Sequence, residues 1–228
     1  MRQLLSAIVL LGLSAVTLAA QDPVKADPKH FKVEFENDQV RILRFHGDPH
    51  GKIPMHEHAL PRVTVALTEE RTKSTDAAGK TTETSEKAGQ VSWTDPQKHA
   101  SENLSDKAVE EIQVEIKGKP GAKPAAMVLD SVKVDPKHFK VELENDRVRV
   151  VRSTGDPHGK LAMHEHPARV TVYLTDLRNR STMPDGKTED TSRKKGDVTW
   201  SPAQKHSSEN LGDKSTENIQ IELKPASK

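Results

Sequence analysis

Apolar and polar residues alternate with a period of two along most of the chain. The runs 148–150, 170–174 and 219–223 show this alternation and are rich in Val, Ile and Thr, which favour strands. Clusters of turn-forming residues, such as 155–159 and 184–187, separate the runs. No segment offers a convincing amphipathic helix. The pattern therefore predicts an all-β protein built from short antiparallel strands, as in a sandwich or barrel.

The alternating pattern is written twice. Residues 27–58 and 135–166 are identical at 24 of 32 positions, with an offset of 108 that becomes 107 from Arg62 and Arg169 onward. Each copy is about 90 residues long, which is too long for a solenoid repeat and suits a small domain, so we interpret the pattern as a tandem duplication. We expect one barrel over residues 21–117, a linker over 118–133 that begins with a Gly-, Pro- and Lys-rich stretch, and a second barrel over 134–228.

The first twenty residues have a different composition. Arg2 precedes an apolar run over residues 4–18, which ends at the small residues Ala19 and Ala20. This is the pattern of a secretory signal peptide, and the run is short for a bilayer span, which needs about 20 residues. We expect residues 1–20 to be removed, the protein to be secreted or periplasmic, and no membrane contact after cleavage.

The composition limits the partners that the protein can bind and the residue types that can hold a metal. The chain has 35 Lys and Arg against 34 Asp and Glu, a net charge of +1, which gives no support for nucleic-acid binding. Cysteine is absent, which excludes disulfides, thiolate metal sites and cysteine nucleophiles. Any metal must therefore be held by His, Asp or Glu.

Histidines follow the repeat closely. Ten of the eleven form five pairs related by the duplication: 30 with 138, 50 with 158, 56 with 164, 58 with 166, and 99 with 206. Residues 56–58 and 164–166 each read His-Glu-His, and residues two apart on a strand project to the same face, about 7 Å apart at Cα. Two such imidazoles can converge on one ion, and the spacing permits His99 or His206 to join them.

These motifs resemble those of the cupin family, and two copies resemble a bicupin. The first cupin motif, a Gly followed by His-x-His, corresponds to residues 51–58 and 159–166; the second, Gly, Pro, His and Asn, to residues 89–103 and 196–210. The resemblance implies a jelly-roll barrel in each copy and a divalent metal bound in each by three histidines, namely His56, His58 and His99 in the first and His164, His166 and His206 in the second.

One ligand of the cupin pattern is absent. Many cupins carry a glutamate after His-x-His, and the spacing places it at Val63 and Val170, which alternation predicts to face the barrel interior. We therefore expect sites of three neutral imidazoles with open coordination positions. Such donors suit Fe, Zn, Cu or Ni better than Mg or Ca, and the ion would keep its full charge and favour an anionic ligand.

Four further residues are candidates for substrate binding. Arg62 and Arg169 would hold a carboxylate near the barrel mouth, or lie on a solvated surface. Trp93 and Trp200 precede the third histidine of each copy, where core packing competes with substrate stacking.

Two functions of different classes fit these features. The resemblance implies a metal-dependent oxygenase, decarboxylase or isomerase acting on a small oxygenated or carboxylated molecule. The alternative is a non-catalytic barrel protein that binds metal or a small ligand, which the aromatic content of only 3% favours. The sequence does not decide whether there is turnover, and it leaves the oligomeric state open.

Overall fold

The computed structural model describes residues 21–118 and 127–224, which form two halves of matching topology. In the described part of each half, a single helical turn precedes nine strands. The first half contains α1 (Pro23–Ala26), β1 (Phe31–Glu36), β2 (Val40–Gly47), β3 (Lys52–His58), β4 (Arg62–Ala66), β5 (Glu70–Asp76), β6 (Thr81–Glu86), β7 (Val91–Thr94), β8 (Gln97–Asn103) and β9 (Val109–Ile116). The second contains α2 (Ser131–Val134), β10 (Phe139–Glu144), β11 (Val148–Gly155), β12 (Lys160–His166), β13 (Arg169–Tyr173), β14 (Leu177–Thr182), β15 (Thr188–Arg193), β16 (Val198–Ser201), β17 (Gln204–Asn210) and β18 (Thr216–Leu223).

Each half is a barrel of two antiparallel sheets. The five-stranded sheet has the order β1-β2-β9-β4-β7 in the first half and β10-β11-β18-β13-β16 in the second. The four-stranded sheet has the order β3-β8-β5-β6 or β12-β17-β14-β15. The all-β class and the two tandem barrels expected from the alternation and the duplication are confirmed.

The two five-stranded sheets pack against each other through their apolar faces. Val, Ile and Leu side chains of both halves form one core cluster that crosses from one half to the other, and they are almost completely buried. The cluster consists of Val40, Ile42, Val63, Val65, Leu67, Ile112, Val114, Ile116, Val148, Val150, Val170, Val172, Ile219 and Ile221. Each barrel therefore covers the apolar face of the other, and the burial of this surface favours their association.

Strand β4 is buried on both faces, which corrects one expectation. Val63 and Val65 lie in the core between the barrels, whereas Arg62 and Thr64 line the cavity inside the first barrel. The prediction that Val63 faces the barrel interior is therefore wrong.

Strand β13 repeats this arrangement, with Val170 in the shared core and Arg169 at the cavity of the second barrel. The prediction for Val170 is wrong for the same reason. The apolar side chains of this strand pack in the apolar core between the barrels, and its polar side chains face the cavity inside the barrel.

Two arginines join the halves in a symmetrical way. Arg44 Nη2 donates to the carbonyl oxygen of Gly196 at 2.7 Å, and Arg152 Nη2 donates to that of Gly89 at 2.6 Å. Both glycines have a positive φ, of 83° at Gly89 and 87° at Gly196. A Cβ at Gly89 would lie 3.1 Å from Leu174 Cδ1, so a left-handed turn and a close approach both favour glycine there.

Two predicted segments lie wholly or partly outside the described residues. The predicted signal peptide, residues 1–20, is not among them, and of the predicted linker, residues 118 and 127–133 are described. Within that stretch Asp130 accepts from Arg149 at 2.6 Å, and Leu129 donates from its backbone to Glu165 at 2.9 Å. None of the helices in the described ranges is long and apolar enough to cross a membrane.

Candidate metal centres

Strands β3 and β8 bring the three histidines of the first half together. His56 is directly opposite His99 in the antiparallel register, and His58 follows two residues later on the same face of β3. The register shifts between Ile53 and His56, so a bulge just before the motif re-aims the strand. The ring centroids lie 4.5 Å apart for His56 and His99, and 5.6 Å apart for His58 and His99.

Strands β12 and β17 build the same group in the second half. His164 is opposite His206, and the register shifts between Leu161 and His164. The ring centroids of His166 and His206 are 5.6 Å apart. In each half, one ligand atom from each of the three histidines lies within 4.8 Å of the other two. The convergence that the sequence only permitted is therefore present twice.

Hydrogen bonds determine which ring nitrogen of the paired histidines is left free. His56 Nδ1 lies 2.9 Å from the carbonyl oxygen of Pro54, which can only accept, so Nδ1 donates and Nε2 keeps its lone pair. His58 Nδ1 lies 3.0 Å from Glu115 Oε1 and donates in the same way. The two Nε2 atoms then face each other at 3.2 Å with a lone pair on each. Such a pair of acceptors fits a bound cation.

The second half repeats these contacts. His164 Nδ1 lies 2.7 Å from the carbonyl oxygen of Ala162, and His166 Nδ1 lies 2.8 Å from Glu222 Oε1. Among the described residues, the buried Nε2 atoms of His166 and His99 have no hydrogen-bond partner. Each half therefore has a buried Nε2 without a partner within a group whose ligand atoms lie within 4.8 Å of one another.

Burial keeps the imidazoles neutral. Loss of solvent is the main cause that lowers the pKa of His58 and His99 to about 2, and that of His206 to about 3; neighbouring histidines and Arg62 or Arg169 lower them further. A neutral imidazole is the form that binds a metal. The donor set of both groups therefore fits a divalent transition metal.

A chain of charged groups supports the second histidine of each motif. Glu115, which accepts from His58, also accepts from Arg41 at 3.3 Å, and Arg41 donates to Asp22, the N-cap of α1, at 2.5 Å. In the second half the equivalent chain is Glu222, Arg149 and Asp130, with donor–acceptor distances of 2.7 and 2.6 Å. Such outer contacts orient metal ligands and fix their tautomer.

Sequence reasoning missed Glu115 and Glu222. The signal was present, because Glu111, Gln113 and Glu115 alternate with the β-branched residues of β9. A polar face on a strand is usually solvated, but this one is buried, with Glu115 only 2% exposed. It faces the inside of the barrel.

Each histidine group opens into a cavity. The volume is about 500 Å³ in the first barrel and about 310 Å³ in the second, within the range of small-molecule sites. Arg62 lines the first cavity and Arg169 the second; they are 4% and 5% exposed, so the solvated-surface alternative does not apply. Within the described residues, Nε and Nη1 of both arginines are buried without a hydrogen-bond partner.

The two tryptophans lie mainly at the core between the barrels. Trp93 and Trp200 are half-buried and pack against the shared cluster, and Trp200 stacks on Phe35 of the other half with centroids 6.3 Å apart. Trp200 also borders the second cavity. Trp93 pairs with Val63, which directs it toward the same core, and its Nε1 donates to Asp95 at 3.1 Å.

Comparison with known proteins gives matches of structure only. No protein-family model matches the sequence, and no curated protein matches it. The structure of AerE from Microcystis aeruginosa is similar with a TM-score of 0.65 at 13% identity, covering 90% of this chain and 97% of that one. A variant of oxalate decarboxylase from Bacillus subtilis is similar with a TM-score of 0.59 at 14% identity, covering 84% of this chain and 71% of that one.

The matches extend over both halves of the chain and agree with the duplicated motifs. Identities of this size establish shared architecture and leave activity open. With two barrels of matching topology and a group of three histidines in each, the chain has the fold of a tandem cupin, or bicupin.

Proposed function

We propose that this protein is an exported bicupin that binds a divalent transition metal in each barrel and acts on a small carboxylated molecule there. The metal part rests on one observation, the convergence of three histidines in each barrel with ligand atoms within 4.8 Å of one another; in the first barrel the Nε2 atoms of His56 and His58, whose Nδ1 atoms both donate elsewhere, are 3.2 Å apart. Export rests on the sequence of residues 1–20 alone.

Three neutral imidazoles select among metals. Imidazole donors suit Fe, Zn, Cu and Ni, and three ligands leave open positions for water or substrate. When bound, such an ion would supply Lewis-acid or redox chemistry to a coordinated oxygenated molecule. The protein contributes the buried donors, the carboxylates that orient them and a cavity that restricts water.

The buried arginines support a carboxylate as the second part of the proposal. Arg62 and Arg169 have unpaired donors inside the cavities that the histidines border. Burial lowers the pKa of Arg169 to about 10, which leaves the guanidinium charged at neutral pH. A guanidinium binds a carboxylate through two parallel hydrogen bonds, so each arginine would hold and orient the ligand beside the metal.

Elemental analysis tests the metal part. We expect about two equivalents of Fe, Cu, Ni or Zn in mature protein purified without chelator, and loss of both in a His99→Ala plus His206→Ala variant. His50→Ala plus His158→Ala is the matched control, because these repeat-related histidines are exposed and bonded to Asp106 and Asp213. Equal metal content in all three proteins would refute the proposal.

Measurements of carboxylate binding and of turnover test the second part of the proposal, a carboxylated ligand held by Arg62 and Arg169. Oxalate is the first compound to try, because a structural neighbour is an oxalate decarboxylase. We expect Arg62→Gln or Arg169→Gln to weaken binding at that barrel about 10- to 100-fold, the size expected for a lost hydrogen bond to a charged group. Binding with metal and no consumption of any carboxylate would favour the non-catalytic alternative.

A further inference from the structure

The two cavities carry different charge although they share one architecture. Glu70, Glu86 and Glu111 line the first cavity, and the 107-residue offset places Leu177, Arg193 and Asn218 at the equivalent positions of the second. The first cavity is lined by five carboxyl side chains and two cationic ones, whereas the second is lined by one carboxyl side chain and two cationic ones. The duplication has therefore diverged in the chemistry of its cavities while it kept all six histidines.

The first cavity has acceptors in excess of donors. Glu70 and Gln113 are each 6% exposed, and Gln113 Nε2 donates to Glu111 Oε2 at 2.8 Å. In the part of the chain that the structure describes, Oε2 of Glu70, Oε2 of Glu86 and Oε1 of Gln113 are buried without a donor. Buried acceptors without partners cost free energy, and a ligand that brings donors would satisfy them.

The carboxyl groups also favour a positive charge. Burial, Glu111 and Glu86 together raise the pKa of Glu70 to about 10, so the free protein holds a proton there to limit the repulsion. Arg62 is attracted to Glu111, but no hydrogen bond joins them among the described residues, where the arginine keeps two unpaired donors. A cationic ligand would displace that proton to solvent and balance the negative charge of the ionised Glu70 beside Glu86 and Glu111.

The spacing of the carboxyl groups argues against a metal ion. Within residues 21–118 and 127–224, the groups of three side chains that bring ligand atoms within 4.8 Å of one another are the two histidine groups. Glu70, Glu86 and Glu111 do not meet that distance, so they suit a larger donor with several N–H bonds.

We propose that the first cavity takes a ligand bearing a protonated amine, which Glu70, Glu86 and Glu111 bind, whereas the second takes a ligand without one. The amine subsite stands on the carboxyl cluster and Gln113. The other end of the ligand rests on the proposed function, with a carboxylate at Arg62, so the ligand is a small amino carboxylic acid.

Calorimetry on the full-length mature protein tests this with matched probes. Glycine, β-alanine and 4-aminobutyrate are compared at pH 7 with acetate, propionate and butyrate, which lack the amine. We expect one amino acid of this series to bind at one site per chain at least tenfold more tightly than its matching acid. A tenfold ratio corresponds to about 1.4 kcal/mol.

The variants locate the subsite. We expect the preference to be lost in Glu86→Gln and in Glu111→Asn. Asparagine is the residue that the second barrel has at the position equivalent to Glu111. It should persist in Glu83→Gln, an exposed carboxylate on the same strand β6, and in Arg193→Gln in the second barrel. Circular dichroism confirms that each variant is folded.

Three results would overturn the inference: no probe with an amine is preferred, the preference survives in Glu86→Gln and Glu111→Asn, or Mg²⁺ or Ca²⁺ binds at the first cavity and is lost in Glu86→Gln. The last would make the cluster a metal site. Failure of the proposed function is seen separately, as absence of transition metal at the histidines, and the amine preference remains measurable in that case.

Discussion

Glu115 and Glu222 each orient a metal-binding histidine through one hydrogen bond, Glu115 to His58 and Glu222 to His166. Each accepts from Nδ1, which leaves Nε2 with its lone pair; Nε2 of His58 faces His56 Nε2 at 3.2 Å, and that of His166 is buried without a partner among the described residues. Because Arg41 and Arg149 hold those carboxylates in turn, the imidazole orientation is established before any ion arrives.

Removing this support should weaken metal binding in one barrel at a time. We expect Glu115→Gln to lower metal affinity in the first barrel about 10- to 100-fold, and Glu222→Gln to do so in the second, because the neutral amide makes His58 or His166 a less basic ligand. Competition with a chelator measures it. Glu83→Gln, which alters an exposed carboxylate, should leave both affinities unchanged; unaltered affinity in all variants would contradict the assigned role.

Glu70 should make stability depend on pH. Its folded-state pKa is raised from 4.5 to about 10, so between these values the folded protein holds a proton that the unfolded chain has lost. Stability therefore falls as pH rises, by at most about 1.4 kcal/mol per pH unit. Urea unfolding at pH 7, 8 and 9 should show this fall in the native protein and a flatter profile in Glu70→Gln. Equal slopes would contradict the assignment.

Strand β4 shows why one face assignment from sequence was wrong. Alternation correctly predicted that Val63 and Val65 share a face and that the face is buried. Period-two reasoning cannot say which of two buried environments a face meets, because a strand covered on both sides has no solvent side to set the direction. Arg62 and Thr64 turned out to line the cavity.

This arrangement predicts the effect of restoring an acid at the position the cupin spacing indicates. Val63→Glu should add no metal ligand and should destabilise the protein by about 3–5 kcal/mol, because the carboxylate is buried unpaired between the barrels. Val33→Glu is the matched control, since Val33 is 36% exposed on β1. Urea unfolding and metal content measure the two parts, and a Val63→Glu protein of native stability would contradict the packing.

At the scale of the whole molecule, the halves depend on each other. The shared cluster draws its buried residues from both five-stranded sheets, and the arginine contacts to Gly89 and Gly196 repeat across the pair. A single barrel would expose to water the apolar face that the other barrel covers.

Separated halves should therefore self-associate. We expect residues 21–117 or 127–224, expressed alone, to form dimers or larger aggregates by light scattering, and the two fragments together to recover a 1:1 complex. Monomeric fragments with native-like circular dichroism would show that the shared core is not required. Because the two sheets are related by the duplication, a homodimer of one half would pair like apolar faces.

The sequence by itself determined the all-β class, the duplication and the identity of the six histidines, because strand alternation, repeat identity and motif spacing are local properties of the chain. Only the tertiary structure decided that Arg62 and Arg169 enter the cavities, that Glu115 and Glu222 support the histidines, and that three carboxyl groups distinguish the first cavity from the second. These depend on which sheet covers which face, and that is decided when two apolar surfaces distant in sequence bury each other.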